Sequence, residues 1–133
     1  MTTRVKTHKW RTAELDKIDE ADNLKISPFR EDGKTYGTPT WIWNVVVGGE
    51  LYVRAYHGQK SSWYQAALRH NTGRIHAAGM VIEVTFTPVE GAVQKLIDKA
   101  YQTKYKNSVF LKAMISDKVK LATIKILPIR KAD

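Results

Sequence analysis

YGTPTWIWNVVVGGELYVRAYHGQKSSWY, residues 36–64, carries the pattern that decides the fold. Two runs rich in Trp, Val, Tyr and Leu, residues 40–47 and 50–56, flank Gly48-Gly49. A two-residue Gly-Gly link suits a primed turn, because both central residues adopt φ > 0 without a Cβ clash. Closure there opposes Val47 to Glu50, Val45 to Tyr52, Trp43 to Arg54 and Trp41 to Tyr56. Strand alternation then gathers Ile42, Val46, Leu51, Val53 and Ala55 on one face with the polar Asn44, the expected core side. The other face holds Trp41, Trp43, Tyr52, Tyr56 and Arg54, too apolar to be a solvated surface. Such a face packs on helices, pairs with another chain or receives a flat ligand.

Outward from the hairpin, residues 1–9 are polar and basic and read as a frayed end. A helix is predicted over 12–21, with Thr12 as N-cap, Leu15 and Ile18 inward, and Glu14 and Asp16 favouring the positive end of its dipole. Residues 24–29 read as a strand that Pro28 confines to an edge or an end, and 30–37 as a turn around Asp32-Gly33. After the hairpin come a tight loop at 57–60 and a helix over 63–70, capped by Ser61 or Ser62 and stopped by 71–73. Strands over 74–78 and 81–89 follow, joined through Gly79. Val93, Leu96, Ile97, Ala100 and Tyr101 recur at helical spacing in a long helix reaching Tyr105. A short helical piece at 109–115 leads to a last strand over 119–127. Six strands with interspersed helices describe an α+β domain, a small closed barrel. Residues 1–11 are assigned to a flexible basic N-terminus and 12–133 to one domain.

With 133 residues, 43% hydrophobic and 26% charged, the composition is that of a single globular domain. No apolar run approaches the ~20 residues that span a bilayer, and no signal-peptide pattern opens the chain, so a cytoplasmic location is expected. The absence of cysteine excludes disulfides, thiolate metal sites and Cys nucleophiles. His8, His57, His70 and His76 lack metal-ligand spacing and no acidic cluster accompanies them, so no metal is expected. Asp19, Glu20 and Asp22 fall on a helix surface, where carboxylates are ordinarily solvated. The net charge of +9 is uneven: the first eleven residues hold four Lys/Arg and no acid, residues 95–133 ten against three, and the middle slightly more acids than bases. A polyanion-binding stripe would therefore lie away from the aromatic centre, and nucleic acid is not the expected partner.

No nucleophile elbow, Walker loop or GxGxxG sequence occurs. The junction from Arg54 to Trp63 remains. Lys60, Ser61, Ser62 and Arg54 gather there at a helix N-terminus, whose unpaired amides and partial positive charge suit a phosphate. Trp and Tyr residues nearby supply an apolar wall for a ring. His57 shares the loop; no catalytic side chain is assigned.

The segments PFREDGKTYGTPTWIW (28–43), LYVRAYHGQKSSWYQAAL (51–68) and GRIHAAG (73–79) resemble a bacterial family of uncharacterised proteins. That family is related to the FMN- and deazaflavin-binding split-barrel proteins, the pyridoxamine-phosphate-oxidase-like fold. The resemblance implies a six-stranded split β-barrel with flanking helices, a homodimer, and a cofactor at the subunit interface. A basic turn before a strand that begins with Pro maps onto Arg30, Lys34 and Pro39. A strand running into a loop and a Trp-Tyr helix start maps onto residues 54–64. The implied cofactor contacts are Arg30, Lys34, Pro39, Trp41, Trp43, Arg54, Tyr56, His57, Lys60, Ser61, Ser62 and Trp63. Where the deazaflavin-dependent relatives have Pro before the Trp and Asn-Leu four and five residues after it, this chain has Ser62 and Ala67-Leu68. The expected function is a flavin- or deazaflavin-dependent oxidoreductase of the nitroreductase-like kind. The alternatives are a non-enzymatic dimeric module binding another phosphorylated or aromatic small molecule without a cofactor and, behind it, a basic nucleic-acid binder.

Overall fold

The structure, a computed structural model, describes residues 5–131, with side chains described over 7–129. Among these described residues eight strands form one antiparallel sheet: β1 (Val5–Thr7), β2 (Lys25–Pro28), β3 (Thr40–Trp41), β4 (Asn44–Val47), β5 (Glu50–Arg54), β6 (Thr72–Ala77), β7 (Met80–Pro88) and β8 (Thr123–Lys131). The helices are α1 (Thr12–Ala21), α2 (Ser62–His70), α3 (Val93–Lys104), α4 (Leu111–Met114) and α5 (Asp117–Lys120), with a 3-10 turn at Gly58–Lys60. The strand order is β3-β2-β6-β7-β8-β5-β4, with β1 paired to β8 outside that path. β3 and β4 stand at opposite ends of this order, yet only Ile42 and Trp43 separate them. Two residues and their flanking bonds reach roughly 10 Å at most. The sheet must therefore curl until its two edges nearly meet, which makes a barrel with a split between β3 and β4.

The Gly48-Gly49 turn forms as its residues require, with φ of 57° and 77° and Val47 opposite Glu50 and Val45 opposite Tyr52. The ladder ends at Asn44–Val53. The expected pairs Trp43–Arg54 and Trp41–Tyr56 do not form, because the chain leaves β4 and Trp41 pairs with Lys25 of β2 instead. The end of α3 occupies the place the ladder would have taken. The Asn44 amide donates to the Tyr105 hydroxyl (3.2 Å), and its carbonyl accepts from Lys104 Nζ (2.9 Å).

The two faces of the hairpin serve two cores. Leu51, Val53 and Ala55 point into the barrel with Leu15, Ile18, Leu24, Ile26, Ile75, Phe86, Ile124 and Ile126. Val45 and Tyr52 face outward onto Ile97, Tyr101 and Tyr105 of the α3 segment, with Met114 and Val119 behind. Of the three fates open to the second apolar face, helix packing claims Val45, Trp43 and Tyr52. Trp41 and Tyr56 stay exposed.

Several boundaries depart from the pattern. Part of the stretch expected to fray, Val5–Thr7, pairs with β8, and Trp10 is buried with its indole donating to the Ile126 carbonyl (2.8 Å); residues 1–4 lie outside the described residues. Arg11, not Thr12, is the N-cap of α1, its amide donating to the Glu14 carboxylate (3.1 Å). Val119 belongs to the one-turn helix α5, so β8 begins four residues later than expected and runs to Lys131. Gly73, expected to help stop α2, lies inside β6, where a Cβ would sit 2.5 Å from the Ser27 carbonyl oxygen. Of the described strands only β1 lies outside the expected six, and the strand expected over 40–47 is split into β3 and β4, with Ile42 and Trp43 between them.

Candidate functional site

The split in the barrel opens as a cleft of about 720 Å³. Three chain segments build it. The β3–β4 crossing supplies Thr40, Trp41, Ile42 and Trp43; the link from β5 to α2 supplies Tyr56, His57, Lys60, Ser61, Ser62 and Trp63; Phe110 and Met114 close it from the α4 side. Arg54 and Asp22 complete the lining.

Arg54 is 1% exposed although it lines the cleft. Its Nη1 donates to Asp98 (2.6 Å) and to the Met114 carbonyl (3.1 Å), its Nη2 to Gln94 Oε1 (2.6 Å) and more weakly to the Gln94 carbonyl (3.4 Å), and its Nε to Thr123 Oγ1 (3.1 Å). A guanidinium has five N–H donors, and all five are engaged. Asp98 is shared with Lys120 at 2.8 Å. Arg54 thus ties β5, α3, α4 and β8 together behind the cleft. The phosphate contact expected of it is corrected on that ground, since no donor is left to offer.

The link from β5 to α2 is where free donors appear. Gly58, at φ 75°, donates to the Ala55 carbonyl, and Ser61 donates to Gly58 (3.0 Å). The first intrahelical bond of α2 runs from the Gln65 amide to the Ser61 carbonyl (3.1 Å), and no side chain caps this end. Ser61 occupies the expected N-cap position, but its side chain makes no capping hydrogen bond. The amides of Ser62, Trp63 and Tyr64 are left as the donors that any helix N-terminus presents, with the exposed Lys60 beside them. The wall opposite is aromatic: Tyr56 meets His57 and Phe110 edge to face at 5.2 and 5.9 Å. Trp41 is 67% exposed and Phe110 54%. Trp43 instead lies flat on Tyr105, with centroids 3.9 Å apart.

Nine of the twelve residues singled out in the sequence line this cleft: Trp41, Trp43, Arg54, Tyr56, His57, Lys60, Ser61, Ser62 and Trp63. Arg30 lines a neighbouring groove of about 510 Å³ that also holds Arg69 and shares Thr40, Ser62 and Trp63 with the cleft. Its Nε donates to the Tyr36 carbonyl (3.3 Å). Lys34 and Pro39 line neither cavity. Lys34 sits on an exposed loop organised by Asp32, whose carboxylate accepts from the Thr35 hydroxyl and from the Thr35 and Lys34 amides. Those bonds favour the ionised form and lower the Asp32 pKa to about 2.

Sequence reasoning missed Asp22, Phe110 and Met114. Asp22, read as a solvated helix carboxylate, is the C-cap of α1 at φ 48°, and its Oδ1 accepts from the Tyr105 hydroxyl at 2.6 Å. The dipeptide Asp22-Asn23 at the end of the α1 pattern was the available signal, since both residue types tolerate the left-handed conformation. Nothing local connects Phe110 or Met114 with residues fifty positions earlier. Among the described residues, no group of three or more His, Asp or Glu could hold a metal ion, and no helix is long and apolar enough to cross a membrane.

An α+β barrel split along one seam, with helices packed outside, places the chain among the split-barrel proteins. It superposes on a candidate pyridoxamine 5′-phosphate oxidase of Listeria innocua with a TM-score of 0.63 at 13% identity, covering 90% of this chain and 94% of that one. A conserved hypothetical protein of Mycobacterium tuberculosis gives 0.57 at 13% identity, covering 96% of this chain and 84% of the other. At such identities the likeness is one of fold. By sequence the chain belongs to the family of uncharacterized proteins conserved in bacteria, DUF2255, whose profile matches residues 14–126. No curated protein matches it at the sequence level.

Proposed function

We propose that the cleft binds a flavin-type cofactor, FMN or a deazaflavin, and that the protein is an oxidoreductase working through it. One observation carries this reading: the uncapped N-terminus of α2 and Lys60 open into the same 720 Å³ cleft as the aromatic side chains of Trp41, Tyr56, Trp63 and Phe110. The volume lies in the range of cofactor pockets, and the lining has their usual make-up of apolar walls with a few placed polar groups. The amides of Ser62 and Trp63, the serine hydroxyls and Lys60 would hold a phosphate. Trp41, Tyr56 and Phe110 would cover a planar ring. A bound flavin or deazaflavin supplies the hydride chemistry; the chain binds, orients and keeps water from the ring. The exposed Trp41 and Phe110 rim the cleft, and a second copy of the chain seated on that rim would finish enclosing it. We therefore assign the protein as a homodimer whose cofactor lies at the subunit interface.

The test is a fluorescence and absorbance titration of the purified protein with FMN and, separately, with a deazaflavin. Quenching or a shifted band at micromolar concentration is expected, and Lys60→Ala should weaken the interaction about tenfold, as befits one charge-assisted hydrogen bond. No response to either compound would overturn the reading and favour another phosphorylated aromatic ligand in the same cleft.

A further inference from the structure

We infer that Asp22 is a ligand-contacting residue of the cleft, whose carboxylate accepts a hydrogen bond from an N–H donor on the edge of the bound ring. The inference rests on the flavin-type reading above and adds a recognition rule to it: the ring must present an N–H, as the imide of an isoalloxazine or a deazaflavin does.

Asp22 is an odd residue for its place. At φ 48° it occupies the left-handed C-cap position that Gly or Asn ordinarily fills. A carboxylate there also faces the negative end of the α1 dipole, which disfavours it. An aspartate tolerates this backbone conformation, but helix electrostatics does not account for it. The surroundings do. The Tyr105 hydroxyl donates to Oδ1 at 2.6 Å, and Tyr105 is itself immobilised. It lies parallel to Trp43 within 1°, and its oxygen accepts from the Asn44 amide at 3.2 Å. Burial, reinforced by the neighbouring Asp22 carboxylate, raises the Tyr105 pKa far above the usual phenol value, so the phenol remains a donor at every physiological pH. Among the described residues Asp22 makes no ion pair, and Lys104, which precedes Tyr105, is engaged with Asp19 (3.2 Å) and with Asn44. A carboxylate offers about four lone-pair sites. One is taken, and the side chain lines the cleft.

The cleft therefore carries two chemistries on different segments. The link from β5 to α2 brings amide donors and Lys60, suited to an anion. The link from α1 to β2 brings a fixed acceptor, suited to a donor. A phosphorylated ring with an N–H edge satisfies both, whereas a phosphorylated ring without a donor would leave the exposed Asp22 carboxylate without a partner on the ligand.

The experiment compares FMN and 5-deaza-FMN with the N3-methyl derivative of each, read by fluorescence quenching on the wild type, Asp22→Ala and Tyr105→Phe, with melting curves as the check on folding. The wild type should bind the N–H form at least tenfold more tightly than its N-methyl counterpart. Asp22→Ala should bind both forms alike, at the weaker affinity. Tyr105→Phe keeps the stack on Trp43 and should lose most of the discrimination, because Tyr105 is a positioning residue for the carboxylate. Should Asp22→Ala fail to fold, Tyr105→Phe and the wild-type ratio still decide. Equal binding of the two forms by the wild type would overturn the role of Asp22 and leave the cofactor reading intact. Binding of neither form would overturn the cofactor reading, and this inference with it.

Discussion

Replacing Asp98 by alanine should be far more damaging than replacing the lysine that shares it. The Arg54 side chain is fully buried, and that of Asp98 is 20% exposed. Breaking a buried pair by deleting one partner costs about 3–5 kcal/mol, because the other charge is left uncompensated in a medium that solvates it poorly. Arg54 would keep its bonds to Gln94, Met114 and Thr123, which places Asp98→Ala at the low end, about 3 kcal/mol. At roughly 4 °C per kcal/mol for a domain of this size, the melting temperature should fall by about 12 °C. Lys120 is 30% exposed in its side chain and leaves Asp98 still paired with Arg54, so Lys120→Ala should cost about 1 kcal/mol or less. Thermal and urea unfolding of both variants, followed by circular dichroism, measures the difference. Equal effects, or a loss below 1 kcal/mol for Asp98→Ala, would refute the view that a buried guanidinium ties β5 to α3 and β8.

Two further outcomes follow from the packing. Burial raises the phenol pKa of Tyr101, and burial with the Asp22 carboxylate raises that of Tyr105, above the ordinary value of 10. Stability from these groups is whole below pH 10 and lost above it, because the unfolded chain releases protons that the native state retains. The loss should approach about 1.4 kcal/mol per pH unit for each phenol. Urea midpoints at pH 8, 10 and 11 would read it, and an unchanged slope in Tyr101→Phe would remove that residue from the account. Gly73→Ala should destabilise by about 3 kcal/mol or more, since its Cβ would lie 2.5 Å from the Ser27 carbonyl oxygen and 2.7 Å from the Pro28 Cα. A melting temperature within 2 °C of wild type, on the same rough scale, would show that β2 and β6 do not approach so closely.

The Gly48-Gly49 turn, the register Val45–Tyr52 and the amphipathic face of α3 were legible in the sequence because each depends on neighbours a few residues apart. The gathering of Lys60, Ser61 and Ser62 with Tyr56 and Trp63 was legible for the same reason: one short link carries them all. Trp41 and Trp43 differ by two residues and sit on one face of the expected strand, yet Trp41 rims the cleft while Trp43 stacks on Tyr105. Their separation arises because the sheet curls, and the strand must break between them to join its two edges. Arg54 looked like a free cation, and only α3, forty residues later, supplied the Asp98 and Gln94 that hold it. Asp22 is exposed, as its place at a helix end suggested, but only the end of α3 brought Tyr105 against it. Local periodicity and turn chemistry thus determined the elements and the composition of the β5–α2 link. Closure of the sheet, which is set by pairings between distant strands and by what each face must bury, decided which side chains meet across the cleft.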